Sequence, residues 1–151
     1  MKQRTLGQSG ITVSEIGLGC MSMNFGYGRP SPEKDMIELI HRAVNLGATL
    51  FDTAESYGPY INEELVGKAL QGIRDKVNIA TKCGIAFAAD GNLILDARPQ
   101  TLRKSLEGSL KRLHTDHIDL YYLHRVDPKV PVEDVAQTMS EFIAEGKIRG
   151  W

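Results

Sequence analysis

The sequence contains few cysteines and no long apolar segment. Only two of its 151 residues are cysteines, Cys20 and Cys83, and they lie far apart in apolar surroundings. This pattern lacks the paired spacing of a zinc site and the cysteine density of a disulfide-stapled secreted domain. No apolar run approaches the roughly 18 residues of a membrane helix, and the first residues lack an apolar segment of signal-peptide length. We therefore expect a cytoplasmic protein with reduced thiols, no metal site and no membrane span.

The chain also lacks an excess of charge of either sign. It has 18 basic and 19 acidic residues, which gives a net charge of -1. Because both signs are scattered along the chain, no bulk field attracts a polyanion or a lipid surface. Neither nucleic acid nor a membrane is an expected partner. With 42% apolar residues, the chain has the composition of one globular domain.

What the sequence does contain is an alternation of β-rich and amphipathic helical segments, with the period of about 30 residues typical of βαβ units. A hairpin is predicted first, over residues 5–14. Strands are then predicted over residues 16–20, 49–54, 77–83 and 118–124, each short and mostly apolar. The alternation predicts an α/β protein with a parallel sheet, which is either an open doubly wound sheet or a (β/α) barrel.

Each predicted strand is followed by a predicted helix. Capping residues or prolines mark the helix starts: Ser31 as a cap before Pro32, Asn62 as a cap, Pro99, and Pro131. Six apolar residues of the fourth helix are expected to be buried: Val132, Val135, Ala136, Met139, Phe142 and Ile143. Residues 85–97, with an Asp-Gly-Asn turn, predict a small hairpin lying over the strand ends.

The segment from Gly17 begins like a dinucleotide-binding fingerprint. However, Ser22 stands where the fingerprint has its third glycine, and a glycine-containing loop follows where a helix should begin. We therefore reject the doubly wound dinucleotide-binding fold.

Polar residues end three of the predicted strands. The two-residue period of a strand places Asp52, Lys82 and His124 on the same kind of face. A buried carboxylate and a buried ammonium are each costly alone, so Asp52 and Lys82 are expected to be partners. In a barrel, the carboxyl ends of the strands form the active-site end.

Tyr57 follows Asp52 by a short loop and is expected to fold over the same end. An ammonium about 4 Å from a phenol stabilises the phenolate, so Lys82 would prepare Tyr57 to give up a proton. His124 adds a second donor suited to holding a carbonyl oxygen. The set predicts proton transfer to a carbonyl group.

Residues 50–58 (LFDTAESYG), 79–82 (IATK) and 119–124 (DLYYLH) resemble the aldo-keto reductase superfamily in order, spacing and strand context. The resemblance extends over residues 4–151. It implies a (β/α)8 TIM barrel that reduces aldehydes and ketones with NADPH. It further implies that Tyr57 is the general acid, that Lys82 and Asp52 tune it, that His124 orients the substrate, and that Met21 and Asp52 border the nicotinamide.

The resemblance covers part of such a barrel. A complete barrel takes about 250 residues. Residues 1–151 would be its N-terminal half, a single incomplete domain of one hairpin and about four βα units that ends at the start of a fifth strand. Exposed strand edges and an apolar face favour pairing with other chains, so we expect self-association or association with the missing C-terminal half.

Two alternative functions remain open at this point. The superfamily includes cofactor-binding ion-channel β subunits, so a non-catalytic regulatory module is one alternative. A lyase that forms a Schiff base on Lys82 is the other. Asp52 argues against the lyase because it keeps the ammonium charged.

Overall fold

A computed structural model describes residues 1–26, 28–88 and 90–151. Its strands are β1 (Gln3–Thr5), β2 (Thr12–Ser14), β3 (Leu18–Gly19), β4 (Leu50–Asp52), β5 (Asn78–Cys83), β6 (Ile85–Phe87), β7 (Leu93–Leu95) and β8 (Leu120–Leu123). Its helices are α1 (Glu33–Asn45), α2 (Ile61–Leu70), α3 (Pro99–Arg112) and α4 (Val132–Ala144).

The sheet that positions the site is parallel, with the strand order β3-β4-β5-β8. The pairs β1-β2 and β6-β7 form separate antiparallel hairpins. The predicted alternation, parallel sheet and two hairpins are thus confirmed. A further parallel bridge joins Ile118 to Ile148 beyond β8.

The helices cover one face of this sheet. On that face Phe51, Ile79 and Tyr121 are completely buried, whereas Tyr122, the neighbour of Tyr121, is 41% exposed. Successive side chains of a strand point to opposite faces, so Asp52, Lys82 and Tyr122 share the uncovered face. The side-chain alternation predicted from the sequence is therefore present.

Two predicted helix starts are wrong. α1 begins at Glu33, and Pro32 rather than Ser31 is its cap, because the ψ of 135° at Pro32 is extended and not helical. α2 begins at Ile61, with Tyr60 as its cap, so Asn62 lies inside the first turn. The Asn62 side chain makes tertiary hydrogen bonds instead of capping the helix.

The predicted burial of α4 is wrong at two positions. Val135, Met139 and Phe142 are buried and Ala136 is half-buried, but Val132 is 52% exposed and Ile143 is 42% exposed. Within the described ranges, α4 is the last helix along the chain, and it packs against one neighbouring helix, α3. A helix between two neighbours buries a wider stripe than a helix with one.

The β1-β2 hairpin closes the amino end of the sheet. Thr49, just before β4, exchanges hydrogen bonds with Ser14: the Ser14 amide donates to Thr49 Oγ1 over 2.7 Å, and the Thr49 amide donates to Ser14 Oγ over 2.8 Å. The Asn78 amide group donates to the Thr12 carbonyl over 2.9 Å. The carboxyl ends of the strands, by contrast, face an open cavity.

A buried carboxylate also stabilises the amino end of the sheet. Asp119 is 1% exposed. It accepts hydrogen bonds from Arg74 over 2.7 Å, from Arg149 over 2.9 Å and from the Ile79 amide over 2.9 Å. Three donors compensate for the burial of its charge.

Close packing of α2 on the end of α3 depends on a glycine. A Cβ atom added to Gly67 would lie 2.4 Å from the Arg112 carbonyl oxygen and 2.7 Å from the Leu113 Cα. Backbone atoms cannot move away as a flexible side chain can, so the helix approach requires glycine here.

Candidate active site

The carboxyl ends of three adjacent strands bring together the polar residues singled out in the sequence. Asp52 ends β4 and Lys82 lies near the end of β5. His124 directly follows β8, and its amide donates to the Cys83 carbonyl over 2.8 Å. Tyr57 reaches the same place from the loop after β4. All four predicted side chains therefore lie at one end of the sheet.

The Lys82 ammonium is the centre of this group. Its Nζ donates to Asp52 Oδ1 over 2.6 Å, to the Thr53 carbonyl over 2.7 Å and to the Tyr57 hydroxyl oxygen over 3.1 Å. An ammonium has three N–H donors, and each has a partner here. The predicted pairing of Asp52 with Lys82 is present, and the hydroxyl proton of Tyr57 remains available to an acceptor in the cavity.

The turn after β4 sets the position of Tyr57. Its amide donates to the Ala54 carbonyl over 3.1 Å. Gly58 then has a φ of +80°, a conformation that glycine adopts without the strain of a side chain. The Phe25 ring stacks on the Tyr57 ring with centroids 6.2 Å apart, and the His124 ring meets it edge-on at 5.9 Å. The phenol is held between two rings.

His124 is poised to be neutral near pH 7. Burial, followed by the nearby Lys82 and Arg125 cations, lowers the pKa of the imidazole below its ordinary value of 6.5. The Ser56 hydroxyl lies 3.4 Å from His124 Nδ1. A neutral imidazole that accepts a hydrogen bond at Nδ1 carries its own hydrogen on Nε2, where it can donate to an oxygen.

Met21 shares a cavity with these residues. It opens a short 3-10 turn (Met21–Met23) after Cys20, whose amide donates to the Asp52 carbonyl over 2.8 Å. A cavity of about 500 Å³ is lined by Met21, Tyr57 and His124, among others. The Asp52 backbone lies beside Cys20, the residue before Met21, but the Asp52 carboxylate accepts a hydrogen bond from Lys82.

Sequence reasoning missed the role of Asn62 in building this end of the sheet. Its Nδ2 donates to the Cys20 carbonyl over 2.8 Å and to Asn24 Oδ1 over 2.7 Å, and its Oδ1 accepts from Thr53 over 2.6 Å. The fully buried amide thus joins the loop after β3 to the end of β4. In the sequence, Asn62 stands out only as a residue type that often caps helices.

A buried charge network lies behind the Tyr57 loop. Arg112 donates to Glu63 over 2.6 Å and lies 3.7 Å from Glu55, and Thr81 donates to the other oxygen of Glu63 over 2.6 Å. One carboxyl oxygen of Glu55 is buried without a hydrogen-bond partner. Burial is the main cause that raises the pKa of Glu55 to about 7.

The two cysteines do not contribute a nucleophile near neutral pH. Both thiols are free and buried, and burial raises the pKa of each to about 12. Across residues 1–26, 28–88 and 90–151, no three His, Cys, Asp or Glu side chains converge on a point that could hold a metal ion. In the same ranges, no helix has the length and apolar character needed to cross a bilayer.

Parallel strands, helices on one face and polar groups at the carboxyl ends define this chain as part of a (β/α) barrel. Comparison with known proteins specifies the family. The model of the aldo/keto reductase family matches residues 15–151. The chain belongs to the aldo/keto reductase family, and the resemblance expected from the sequence is confirmed.

Its relatives support the family and the fold. Over 145 residues, the chain is 43% identical to "Probable aldo-keto reductase 1" of Glycine max, covering 95% of this chain and 42% of that protein. It superposes on the holo form of the aldo-keto reductase AKR11C1 of Bacillus halodurans with a TM-score of 0.91 and 36% identity, covering 99% of this chain and 49% of that one. It also matches the glycerol dehydrogenase AKR11B4 of Gluconobacter oxydans with a TM-score of 0.82 and 34% identity, covering 92% and 44%. The chain thus spans less than half the length of these three relatives.

Proposed function

We propose that this chain carries the proton-transfer site of an NADP-dependent aldo-keto reductase that reduces aldehydes and ketones to alcohols. The observation that carries the proposal is the 3.1 Å contact from Lys82 Nζ to the Tyr57 hydroxyl oxygen, with Asp52 on the other side of the ammonium. A phenol beside a cation, at the open end of a barrel sheet, is suited to act as a general acid.

In the proposed reaction, Tyr57 gives its hydroxyl proton to the carbonyl oxygen of the substrate. Lys82 stabilises the phenolate that remains, and Asp52 keeps Lys82 in place. The neutral His124 donates a hydrogen bond to the same carbonyl oxygen and thereby orients it toward Tyr57. The phenolate then regains a proton from water, and the alcohol leaves.

The residues present fit one wall of a nicotinamide site. Met21, Phe25 and Tyr57 line the cavity with apolar and aromatic surface, which suits a flat heteroaromatic ring. When bound, the cofactor supplies the hydride that the carbonyl carbon receives. Met21 and Asp52 would border the ring.

The geometry favours this reaction over a Schiff-base lyase. A lysine that attacks a carbonyl needs a free lone pair on Nζ. All three N–H bonds of the Lys82 ammonium are engaged by Asp52, Thr53 and Tyr57. Borohydride trapping with a carbonyl substrate separates the two reactions, because a reduced adduct on Lys82 would support the lyase and overturn the reductase.

The proposal is tested by titrating the chain with NADPH and then measuring NADPH consumption with a panel of aldehydes. Turnover in the wild type and its loss in Tyr57→Phe, with unchanged cofactor affinity, are the expected results. Cofactor binding without turnover of any carbonyl would instead favour a regulatory module, the other function left open by the sequence. Absence of binding at millimolar NADPH would show that residues 1–151 alone form no cofactor site.

We further propose that residues 1–151 act as the N-terminal half of a barrel domain and that other βα units, or a second copy of the chain, cover the open sheet face. The 41% exposure of Tyr122 on that face supports this proposal. Native mass spectrometry and light scattering test self-association. A stable, folded monomer of 16.7 kDa would exclude it.

A further inference from the structure

The β6-β7 hairpin presents an apolar face toward the site. In its register Ile85 pairs with Leu95, and Phe87 pairs with Leu93. Side chains of directly paired residues lie on the same face, and this face alternates along each strand. These four side chains therefore share one face of the hairpin, and the intervening pair, Ala86 with Ile94, lies on the opposite face.

This hairpin face forms a wall of two adjacent cavities. Leu93 lines the cavity of about 500 Å³ that contains Tyr57 and His124. It also lines a second cavity of about 540 Å³, and Phe25 and Ser56 contribute to both. Because three residues line both cavities, the second cavity lies beside the proton donor. Phe87 lines only the second cavity.

The second cavity has the chemistry of an aromatic binding site. Its walls include Phe25, Pro59, Tyr60 and Phe87, and none of the described residues that line it is charged. The rings of Tyr60 and Phe87 meet edge to face at 5.8 Å. The volume lies within the roughly 300–1,000 Å³ typical of small-molecule sites.

A charged group outside the cavity holds Tyr60 in place. The Arg112 guanidinium lies 4.6 Å from the Tyr60 ring centroid and donates to Glu63 over 2.6 Å. Tyr60 has a φ of +70°, which is uncommon for a bulky residue, and its amide donates to the Glu55 carbonyl over 2.8 Å. The Tyr60 ring contacts both Arg112 and Phe87 and forms a wall against which a flat apolar group can pack edge to face.

We propose that the second cavity binds an aromatic substituent of the carbonyl substrate while the carbonyl group itself lies in the first cavity beside Tyr57. Phe87 and Leu93 then determine specificity, because they present the hairpin's apolar face to that substituent. This inference rests on the proposed reductase function and names the class of substrate: carbonyl compounds with an aryl group on a short alkyl arm.

The test compares 3-phenylpropanal with propanal as substrates for the wild type, Phe87→Asn and Ile94→Asn. The wild type should prefer 3-phenylpropanal in kcat/KM. Phe87→Asn should lower kcat/KM for 3-phenylpropanal by about tenfold, the lower end of what a lost apolar contact costs in a substrate pocket, and leave propanal unchanged. Ile94→Asn is the matched control, since it makes a similar change on the opposite face, and it should affect neither substrate.

Leu93→Asn provides a second variant if Phe87→Asn fails to fold, because Leu93 is 58% exposed and its side chain is not part of the core. It should lower the ratio of kcat/KM for 3-phenylpropanal to kcat/KM for propanal. An unchanged ratio in the folded variants, or equal losses for both substrates, would overturn the inference.

A binding measurement separates this inference from the proposed function. The protein with methyl-labelled leucine and isoleucine is titrated with 3-phenylpropan-1-ol and observed by NMR. Shifts of the Leu93 methyl groups that are lost in Phe87→Asn, with the Ile94 methyl groups unmoved, are expected even if no aldehyde is turned over. Turnover of neither aldehyde by the wild type would refute the reductase function, and absence of Leu93 shifts would refute the aromatic site.

Discussion

Replacing Lys82 by methionine tests the central contact of the proposed site. Methionine has a similar length but carries no charge, so the change removes the cation that lies 3.1 Å from the Tyr57 hydroxyl oxygen. At an effective dielectric constant of about 20, a unit charge at this distance stabilises the phenolate by about 5 kcal/mol. Asp52, which lies 2.6 Å from the same ammonium, offsets part of this effect.

If about half of the effect survives this offset, roughly 3 kcal/mol remains, which corresponds to a loss of roughly 100-fold in rate. The assay is NADPH consumption with a reactive aldehyde, from which kcat and KM are obtained separately. We expect the loss in kcat, because the charge acts on the proton donor as the proton leaves. Affinity for NADPH should change little.

Lys68→Met is the matched control. Lys68 pairs with Glu33 on the surface, where both side chains are more than half exposed. Exposed ion pairs contribute about 0–1 kcal/mol, so this variant should keep wild-type activity. Thermal unfolding of both variants verifies that they are folded. A folded Lys82→Met that keeps more than about one tenth of the wild-type kcat would refute the proposed tuning of Tyr57 by Lys82.

Three further predictions concern stability. Glu55 has its pKa raised from 4.5 to about 7, so it stays protonated in the fold while the unfolded chain ionises, and stability falls as the pH rises from about 4.5 to about 7. Glu55→Gln should remove this slope and stabilise the protein at pH 8 by up to about 3 kcal/mol, measured by urea unfolding at several pH values. Asp119→Asn should cost about 3 kcal/mol in urea unfolding, because it removes the carboxylate partner of the half-buried Arg74 guanidinium. Gly67→Ala should lower the thermal midpoint at a cost of about 1–3 kcal/mol, since overpacking against Arg112 outweighs the better helix propensity of alanine.

Each of these predictions has an outcome that contradicts it. Parallel pH profiles for Glu55→Gln and the wild type would mean that Glu55 ionises in the fold as it does in the unfolded chain. Wild-type stability of Asp119→Asn would mean that the charge on Asp119 is not needed to compensate its cationic neighbours. An increase in the thermal midpoint of Gly67→Ala would mean that α2 and the end of α3 can move apart without cost.

Much of the sheet was predictable because its signals are local. The period of two in residues 50–52 and 79–83 is imposed by the covalent geometry of a strand, whatever the rest of the chain does. The same geometry put Asp52 and Lys82 on one face. Since an unpaired buried charge is costly, their contact also followed from the sequence.

The helix ends were less predictable, since several residues can satisfy the same unpaired amides. Ser31 and Asn62 are good capping residues by type, but neither caps its helix. In the fold the Asn62 side chain bonds to Thr53 and the Cys20 carbonyl instead. This choice depends on groups that are remote in the sequence, which no local pattern identifies.

The sequence by itself determined the alternation of strands and helices and the residue types at the strand ends, including Asp52, Lys82 and His124, because periodicity and the cost of burying charge act within short segments. Only the tertiary structure decided the burial of Glu55 and the side-by-side cavities that Phe25, Phe87 and Leu93 line. These residues lie in loops and a hairpin from separate parts of the chain. Their contacts arise from the packing of the loops over the sheet, a long-range property that local periodicity does not specify.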